Sequence, residues 1–536
     1  MSARSISKFM QPPRRLARRC LRKLKLQSRG SLEYYAEEFD DTARAFEKFL
    51  RRCPRGRVID SRPPVGIVVT PWVSTPGPWL FITLALGLAE RGRRVVLIWD
   101  DVAYPTPGHD VTRQNRAIAR ILDQLRDSFE IARLSQEQAQ PPRADDDAAL
   151  HKLVDQNLIW WTRGAKIGMA DSTDGQIAHA SLRQTLGLAR GLLARQQFDY
   201  LVITSGVVLN SGVYRIAAHQ ANVRVATYDA GFGVIFISTD GIATQQHDIP
   251  RAIRELARAD TAQLDTMRAK ARYEFELRRV GRDKQSFQVT ATQNSALVPQ
   301  DAIVLPLSLE WDGAALGSHY LFENTVDWVC STVDFCLKNS ARPIVVRQHP
   351  GERVSFGNSK LDIRAQLAQR FGAEPRIVFV GKHALVNTYD LLARAAIVLP
   401  FVSTVAIEAA ALGKVVLISG LAYYRDLGFV YAPQTRAEYF QYLERGIRDA
   451  LPRLPNQEEQ AWLCYYATQC CNFVWTDFTA QPPDFWKWVG KSPAQVFGDD
   501  VFQDVLTACD ENIPLALLRH RRRFDEIKNP APSISG

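Results

Sequence analysis

A chain of 536 residues is too long for one hydrophobic core, so two or three domains are expected. The apolar share of 46% is ordinary, and no run approaches the roughly 18–20 apolar residues of a membrane-spanning helix. The formal net charge of +10 is concentrated near the amino end, where basic residues lead into more charge and never into an apolar segment, so a secretory signal is not expected and the chain reads as cytoplasmic. The 8 cysteines are scattered and form no C-x-x-C pair, which argues against a zinc site and against a disulfide framework.

In chain order, residues 14–29 come first. Arg14, Arg15, Arg18, Arg19, Arg22, Lys23, Lys25 and Arg29 alternate there with Leu16, Leu21, Leu24 and Leu26. Two readings stand: a basic helix on an anionic membrane face, each cation worth about 1 kcal/mol near the surface, or a solvated arm. No nucleic-acid partner is expected, because the arm has no aromatic residue on which a base could stack. A helix is expected over 32–52, stopped by Pro54. An apolar strand at 65–70, a helix at 79–91 and a strand at 95–99 make a parallel βαβ unit. Residues 110–143 read as helical and charged, and Asp145, Asp146 and Asp147 as a solvated acidic loop or helix start. A helix over 179–197 leads to a strand at 200–204, a polar loop at 205–212, a helix at 213–220 and a strand at 223–228. Residues 260–280 read as a helical connector. Beyond Pro452 the character changes: Trp462, Tyr465, Tyr466, Phe473, Trp475, Phe478, Phe485, Trp486 and Trp488 crowd together, too irregularly for one helix face. They read as an extension packed back onto the first domain, with acceptor binding or membrane contact as the alternative. The expected division is a basic arm and helix (1–60), a first Rossmann-like domain (61–300), a second (301–446) and a helical extension (447–536).

Two motifs in the second domain carry chemistry. Arg347-Gln348-His349-Pro350-Gly351-Glu352-Arg353 follows the apolar run Pro343-Ile344-Val345-Val346. Ser403-Thr404-Val405-Ala406-Ile407-Glu408 follows the strand around Ala396-Ile397-Val398. Open α/β sheets bind ligands where strands break into polar residues at their carboxyl ends. The first turn brings cations and an imidazole. The second brings two hydroxyls and the free N–H groups of a helix's first turn, which suit a phosphate.

His-Pro after one strand and Ser-Thr-x-x-x-Glu after another, followed by Gly413-Lys414-Val415-Val416, resemble the nucleotide-sugar half of GT-B glycosyltransferases. The likeness is to the capsule and surface-polysaccharide group that contains the bacterial Kdo transferases and, more distantly, sialyltransferases. Leu305-Pro306-Leu307-Ser308-Leu309-Glu310-Trp311-Asp312, Asn387-Thr388-Tyr389-Asp390-Leu391 and Gly420-Leu421-Ala422-Tyr423-Tyr424 fit the same group. The resemblance implies an α/β fold of GT-B type, with two Rossmann-like domains facing across a cleft. It also implies a nucleotide-sugar donor, a CMP-activated acidic sugar first among them, and a glycan or glycolipid acceptor. Work at the inner face of the inner membrane beside other polysaccharide-assembly proteins is a further implication.

On that reading His349, Ser403 and Thr404 hold the donor phosphate, Glu408 takes a ribose hydroxyl or base amino group, and Arg347 is a further donor-site cation. Asp229 is the expected catalytic carboxylate: it follows the strand ending at Tyr228 and precedes the Ala230-Gly231-Phe232-Gly233 turn, and an acid in a similar setting faces the sugar in the resembling transferases. Asp240, Asp248 and Asp312 are candidate cleft residues. Neither a metal nor an organic cofactor is expected, since histidine, hydroxyls and a helix amino end can neutralise the leaving group. A nucleotide-sugar epimerase, a polyol-phosphate transferase and a non-catalytic scaffold remain as alternatives.

Overall fold

The computed structural model describes residues 32–54, 60–102, 104, 110–231, 233–284, 288–353 and 358–528. The basic arm and Phe232 lie outside them.

Two parallel-cored sheets organise the chain. The first contains β1 (Val65–Val69), β2 (Val95–Trp99), β3 (Glu130–Arg133), β4 (Tyr200–Thr204), β5 (Arg224–Gly231) and β6 (Val234–Ser238). The second contains β7 (Ala302–Pro306), β8 (Ile344–Arg347), β9 (Ile377–Val380), β10 (Ala395–Val398) and β11 (Val415–Val416), and a late strand, β12 (Val474–Trp475), returns to the first. The spatial orders are β12-β6-β5-β4-β1-β2-β3 and β11-β10-β7-β8-β9. Counted within each half, the parallel strands follow one order, 3-2-1-4-5, which is the doubly wound arrangement with its ligand crevice where the order reverses. The expectation of two Rossmann-like sheets is met.

The central strands are unbroken apolar runs because helices cover both faces of the sheet. All five residues of β1 are buried. Gly66 is needed there: a Cβ would lie 2.5 Å from Leu201 Cδ2. The helix Gly77–Glu90 is buried along nearly its whole length, since the sheet lies on one side and the helices Leu32–Leu50 and Asp500–Glu511 on the other. Phe46, Phe49, Trp79, Phe485, Trp488, Phe497 and Phe502 meet in that one core. The aromatic extension therefore does two things. Trp462 and Tyr465 pack on Phe275 in the second half, at 5.5 and 6.0 Å between ring centroids, and residues 474–509 rejoin the first sheet.

Three expectations fail for physical reasons. Residues 110–143 are not helical throughout: the helix Val111–Asp123 is followed by β3, an edge strand whose charged residues point to solvent and hide its period in a charged composition. Asp146 is not solvated. It is 1% exposed and paired with Arg190, whose Nη1 donates to Oδ2 at 2.6 Å, tying the helix Asp146–Thr162 to the helix Thr173–Arg195. The strand at 223–228 runs on through Gly231 and turns into the antiparallel β6.

The two halves touch directly. The Arg163 guanidinium lies 4.0 Å from the Trp311 ring centroid, and Gln245 Nε2 donates to the carbonyls of Gly313 (3.2 Å) and Leu316 (2.8 Å). Among the described residues, no helix is long and apolar enough to cross a membrane.

Candidate active site

Between the carboxyl ends of the two sheets lies a cleft of about 1050 Å³, lined from both halves. From the first half it receives Asp229. The last parallel pair with β4 is Thr204–Tyr228, so Asp229 is the first residue of β5 beyond that ladder, although it stays in strand geometry opposite Phe236 of β6. Asp229 Oδ1 accepts from the Ala230 N–H at 2.8 Å. It is partly open to the cleft but otherwise surrounded by protein. Burial pushes its carboxyl up to about 7, and the negative charge of Asp312 adds to the rise against the local hydrogen bonds. Such a group is poised as a proton acceptor near neutral pH.

The second half brings donors. His349 follows β8, and its Nδ1 accepts from the Gly351 N–H at 3.1 Å. In the neutral ring the proton then sits on Nε2, available to a ligand. Burial, then the charges of Arg347 and Arg278, hold His349 down at about 4, so it is a neutral donor at pH 7. Ser403 and Thr404 line the same cleft. Ser403 Oγ accepts from the Val405 N–H at 3.3 Å, and the Ser403 carbonyl accepts from Tyr424 OH at 2.8 Å. A second cavity of about 610 Å³ shares Ser308 with the cleft and is lined by Gln348, Gly381 and Lys382, on the loops after β8 and β9.

Sequence reading missed Arg278. It stands at the end of the helix Thr261–Arg279, looks there like one of many solvated cations, and reaches the cleft beside His349. Its Nε lies 3.5 Å from Glu408 Oε1, and its Nη1 donates to Gln469 Oε1 at 2.7 Å. Burial acts against its charge, but Glu408 and its other anionic neighbours outweigh that and raise its pKa. Trp72, Trp160, Trp161, Phe473 and Trp475 also line the cleft; Trp72 comes from the loop after β1, and the last two from the aromatic-rich extension.

Several expected residues stand elsewhere. Glu408 is 2% exposed and outside the cleft lining; it lies beneath Arg278, which opposes the upward push of burial on its carboxyl. Arg347 is 3% exposed and spends its guanidinium on backbone carbonyls: Nη1 donates to Gly381 at 2.8 Å and Nη2 to Val386 at 3.2 Å. It clamps the loop after β9 and does not line the cleft. Asp240 is exposed on the bend after β6. Asp248 is buried and accepts from Ser238 Oγ (3.1 Å) and the Thr239 N–H (2.7 Å), bracing that bend. Asp312 does line the cleft; burial raises its pKa while Arg163 opposes. Among the described residues, no cluster of three or more His, Cys, Asp or Glu side chains could hold a metal ion.

No protein-family model matches the chain, and no curated protein matches it. Solved structures do. The beta Kdo 2,4 transferase of KpsC from Thermosulfurimonas dismutans is 15% identical with a TM-score of 0.35, over 50% of this chain and 79% of that one. The beta Kdo 2,7 transferase of the same organism's KpsC is also 15% identical with a TM-score of 0.30, over 51% and 79%. A UDP-GlcNAc 2-epimerase from Neisseria meningitidis, bound to UDP-GlcNAc, is 11% identical with a TM-score of 0.23, over 75% and 95%. The structural neighbours thus include the group that the sequence motifs resemble. At such values the likeness is one of outline, and any reading of function rests on the cleft.

Proposed function

We propose that the protein is a glycosyltransferase that moves a sugar from a nucleotide-activated donor to a saccharide or glycolipid acceptor of a capsule or other surface polysaccharide. The observation that carries this reading is the division of the cleft: a carboxylate poised near pH 7 on one wall, and on the other Arg278, a neutral His349 and two hydroxyls. Asp229 takes the proton of the acceptor hydroxyl as its oxygen bonds to the anomeric carbon. The bond from that carbon to the donor phosphate breaks, and the departing charge meets the Arg278 guanidinium and the His349 Nε2–H. The nucleoside extends towards the cavity at Gln348 and Gly381. A CMP-activated acidic sugar is the favoured donor, on the strength of the sequence motifs. Neutralisation by side chains makes the reaction independent of divalent ions, which unchanged turnover in excess chelator would support.

The test is release of free nucleotide from CMP-, UDP- and GDP-sugars, alongside thermal shifts with CMP, CDP, UDP and GDP. CMP release is expected, and the absence of any nucleotide effect would sink the reading. One observation favours an epimerase instead: Asp229 and Asp312 share the cleft and both have raised pKa values, as removal and return of a proton on a sugar carbon would require. An isomerised nucleotide sugar with no free nucleotide would select that reading. The basic arm, on sequence grounds, brings the enzyme to an anionic membrane on its cytoplasmic side. Full-length protein that fails to sediment with anionic vesicles at low salt would refute this.

A further inference from the structure

The register of β5, β6 and β12 puts a row of cleft residues on one face of the first sheet. Asp229 stands opposite Phe236, and Gly231 opposite Val234. Val234 in turn stands opposite Trp475. Residues directly opposite in a ladder share a face, and so do residues two apart along a strand. Asp229, Gly231, Phe236 and Trp475 therefore point the same way, and all four line the cleft. Phe473, edge-on to Phe236 at 4.9 Å between centroids, continues the row. Gly231 is open: a Cβ there would have nothing within 4 Å. The result is a ledge with the carboxylate at one end and an indole at the far end, with the open Gly231 and the buried Val234 between them. Two strand spacings across and two residues along separate Asp229 from Trp475 by roughly 12 Å.

The indole is held in place. Its backbone is in the ladder, the Thr476 N–H donates to the Gly233 carbonyl at 3.1 Å, and Lys284 Nζ lies 5.5 Å from the ring centroid. Lys487 bridges Asp477 (2.9 Å) and Asp484 (3.1 Å) and forms a polar rim to the ledge. An apolar ring face beside paired charges and amide groups suits a ligand with both C–H faces and hydroxyl edges, which is the chemistry of a pyranose ring. The cleft volume of about 1050 Å³ lies at the upper end of single-ligand sites and leaves room beyond a nucleotide sugar.

We propose that Trp475 is a saccharide subsite for the acceptor, more than one sugar ring away from the hydroxyl that reacts at Asp229, so that the acceptor is an oligosaccharide or longer chain and not a single sugar. The inference rests on the glycosyltransferase reading. The C-terminal extension, by adding β12 to the first sheet, supplies this subsite; the nucleotide-binding half takes no part in it.

The experiment measures saccharide binding directly, by tryptophan fluorescence and saturation-transfer NMR. Its probes are defined mono-, di- and hexasaccharides, in a neutral and a carboxylated series, applied to wild type, Trp475→Ala and Trp475→Phe. At least one hexasaccharide is expected to bind wild type. Trp475→Ala should weaken it about tenfold, as loss of an aromatic contact implies, and Trp475→Phe should restore most of the loss. Monosaccharide binding should be indifferent to both changes, and nucleotide thermal shifts should persist in both, which also establishes that the variants fold. Hexasaccharide affinity unchanged in Trp475→Ala, or no saccharide binding to wild type in either series, overturns the subsite. Length-dependent saccharide binding without any nucleotide shift would leave the subsite standing and remove the glycosyltransferase reading.

Discussion

The first sheet delivers to the cleft a carboxylate that burial pushes up to about 7, while the second delivers a histidine held at about 4 by burial and by two arginines. Yet the two sheets share one strand order and both present residues at strand carboxyl ends: His349 and Ser403 follow β8 and β10, the neighbours of the first strand β7, while Asp229 stands on β5, one strand removed from β1. The difference lies in what surrounds the strand ends. Asp229 has no cation among its pKa-shifting neighbours, and Asp312 adds negative charge. His349 sits among cations, and Arg278 is fixed there by the buried Glu408. One strand order thus carries a carboxyl pushed up in one half and a neutral histidine among cations in the other, because depth and neighbouring charge set the ionisation.

The sharpest way to break this division is Asp229→Asn, which keeps shape and removes the charge. Turnover should fall by at least about 10²-fold, as expected on loss of a general base, with nucleotide affinity unchanged. Steady-state kinetics beside nucleotide titration measure both, and near-normal turnover would shift the role to Asp312, the other raised acid in the cleft.

The opposite half is probed by His349→Ala and by the Ser403→Ala/Thr404→Ala double change. On the proposed reading each removes donors to a charged phosphate, and nucleotide binding should weaken by about 1.5–3 kcal/mol. Calorimetry that found full affinity in folded variants would dissolve the cradle.

Stability against pH sharpens the comparison, because the two groups act with opposite sign. Asp229 has a folded pKa raised above the unfolded value near 4, so the folded state holds its proton longer. Its contribution is full below about pH 4 and is lost as pH rises to about 7. His349 has a folded pKa lowered from 6.5 to about 4, so the unfolded state binds the proton first. Its contribution is full above pH 6.5 and is lost as pH falls towards 4. Melting temperature followed across this window should rise more steeply with pH in Asp229→Asn than in wild type, and less steeply in His349→Asn. Parallel curves for all three proteins would show that neither group is shifted.

The smallest effect on function is expected from Arg347→Met. Freed carbonyls after β9 should cost about 1–3 kcal/mol of stability, read by denaturant unfolding, while nucleotide affinity stays within roughly twofold. A large affinity loss without destabilisation would return Arg347 to the donor site.

Much of this architecture is written in local pattern. The strands β1, β2, β4, β5, β8 and β10 could be read because strands covered on both faces need largely apolar residues. The breaks after them exposed His349, Ser403, Thr404 and Asp229 as candidates, since polar residues at such ends have few other uses. Edge elements were harder to read. β3 is only partly covered, so its residues keep a mixed composition that single-sequence periodicity does not separate from helix or turn.

The sequence determined the doubly wound class, the two strand-end motifs and the aromatic character of the extension, all properties of residues near one another in the chain. Tertiary structure alone decided which charges meet. Arg347, two residues before His349, is turned inward by the carbonyl of Val380 at the end of β9 and by two more, of Gly381 and Val386, in the loop that follows. Arg278 comes from a helix about seventy residues before His349 and stands beside it in the cleft, with Glu408 folded under it. Trp475 comes from the far end of the chain and reaches Asp229's face through two strand pairings. Sequence distance carries no information about such meetings, because Coulomb attraction, desolvation and ladder register act between atoms that only the folded chain brings together.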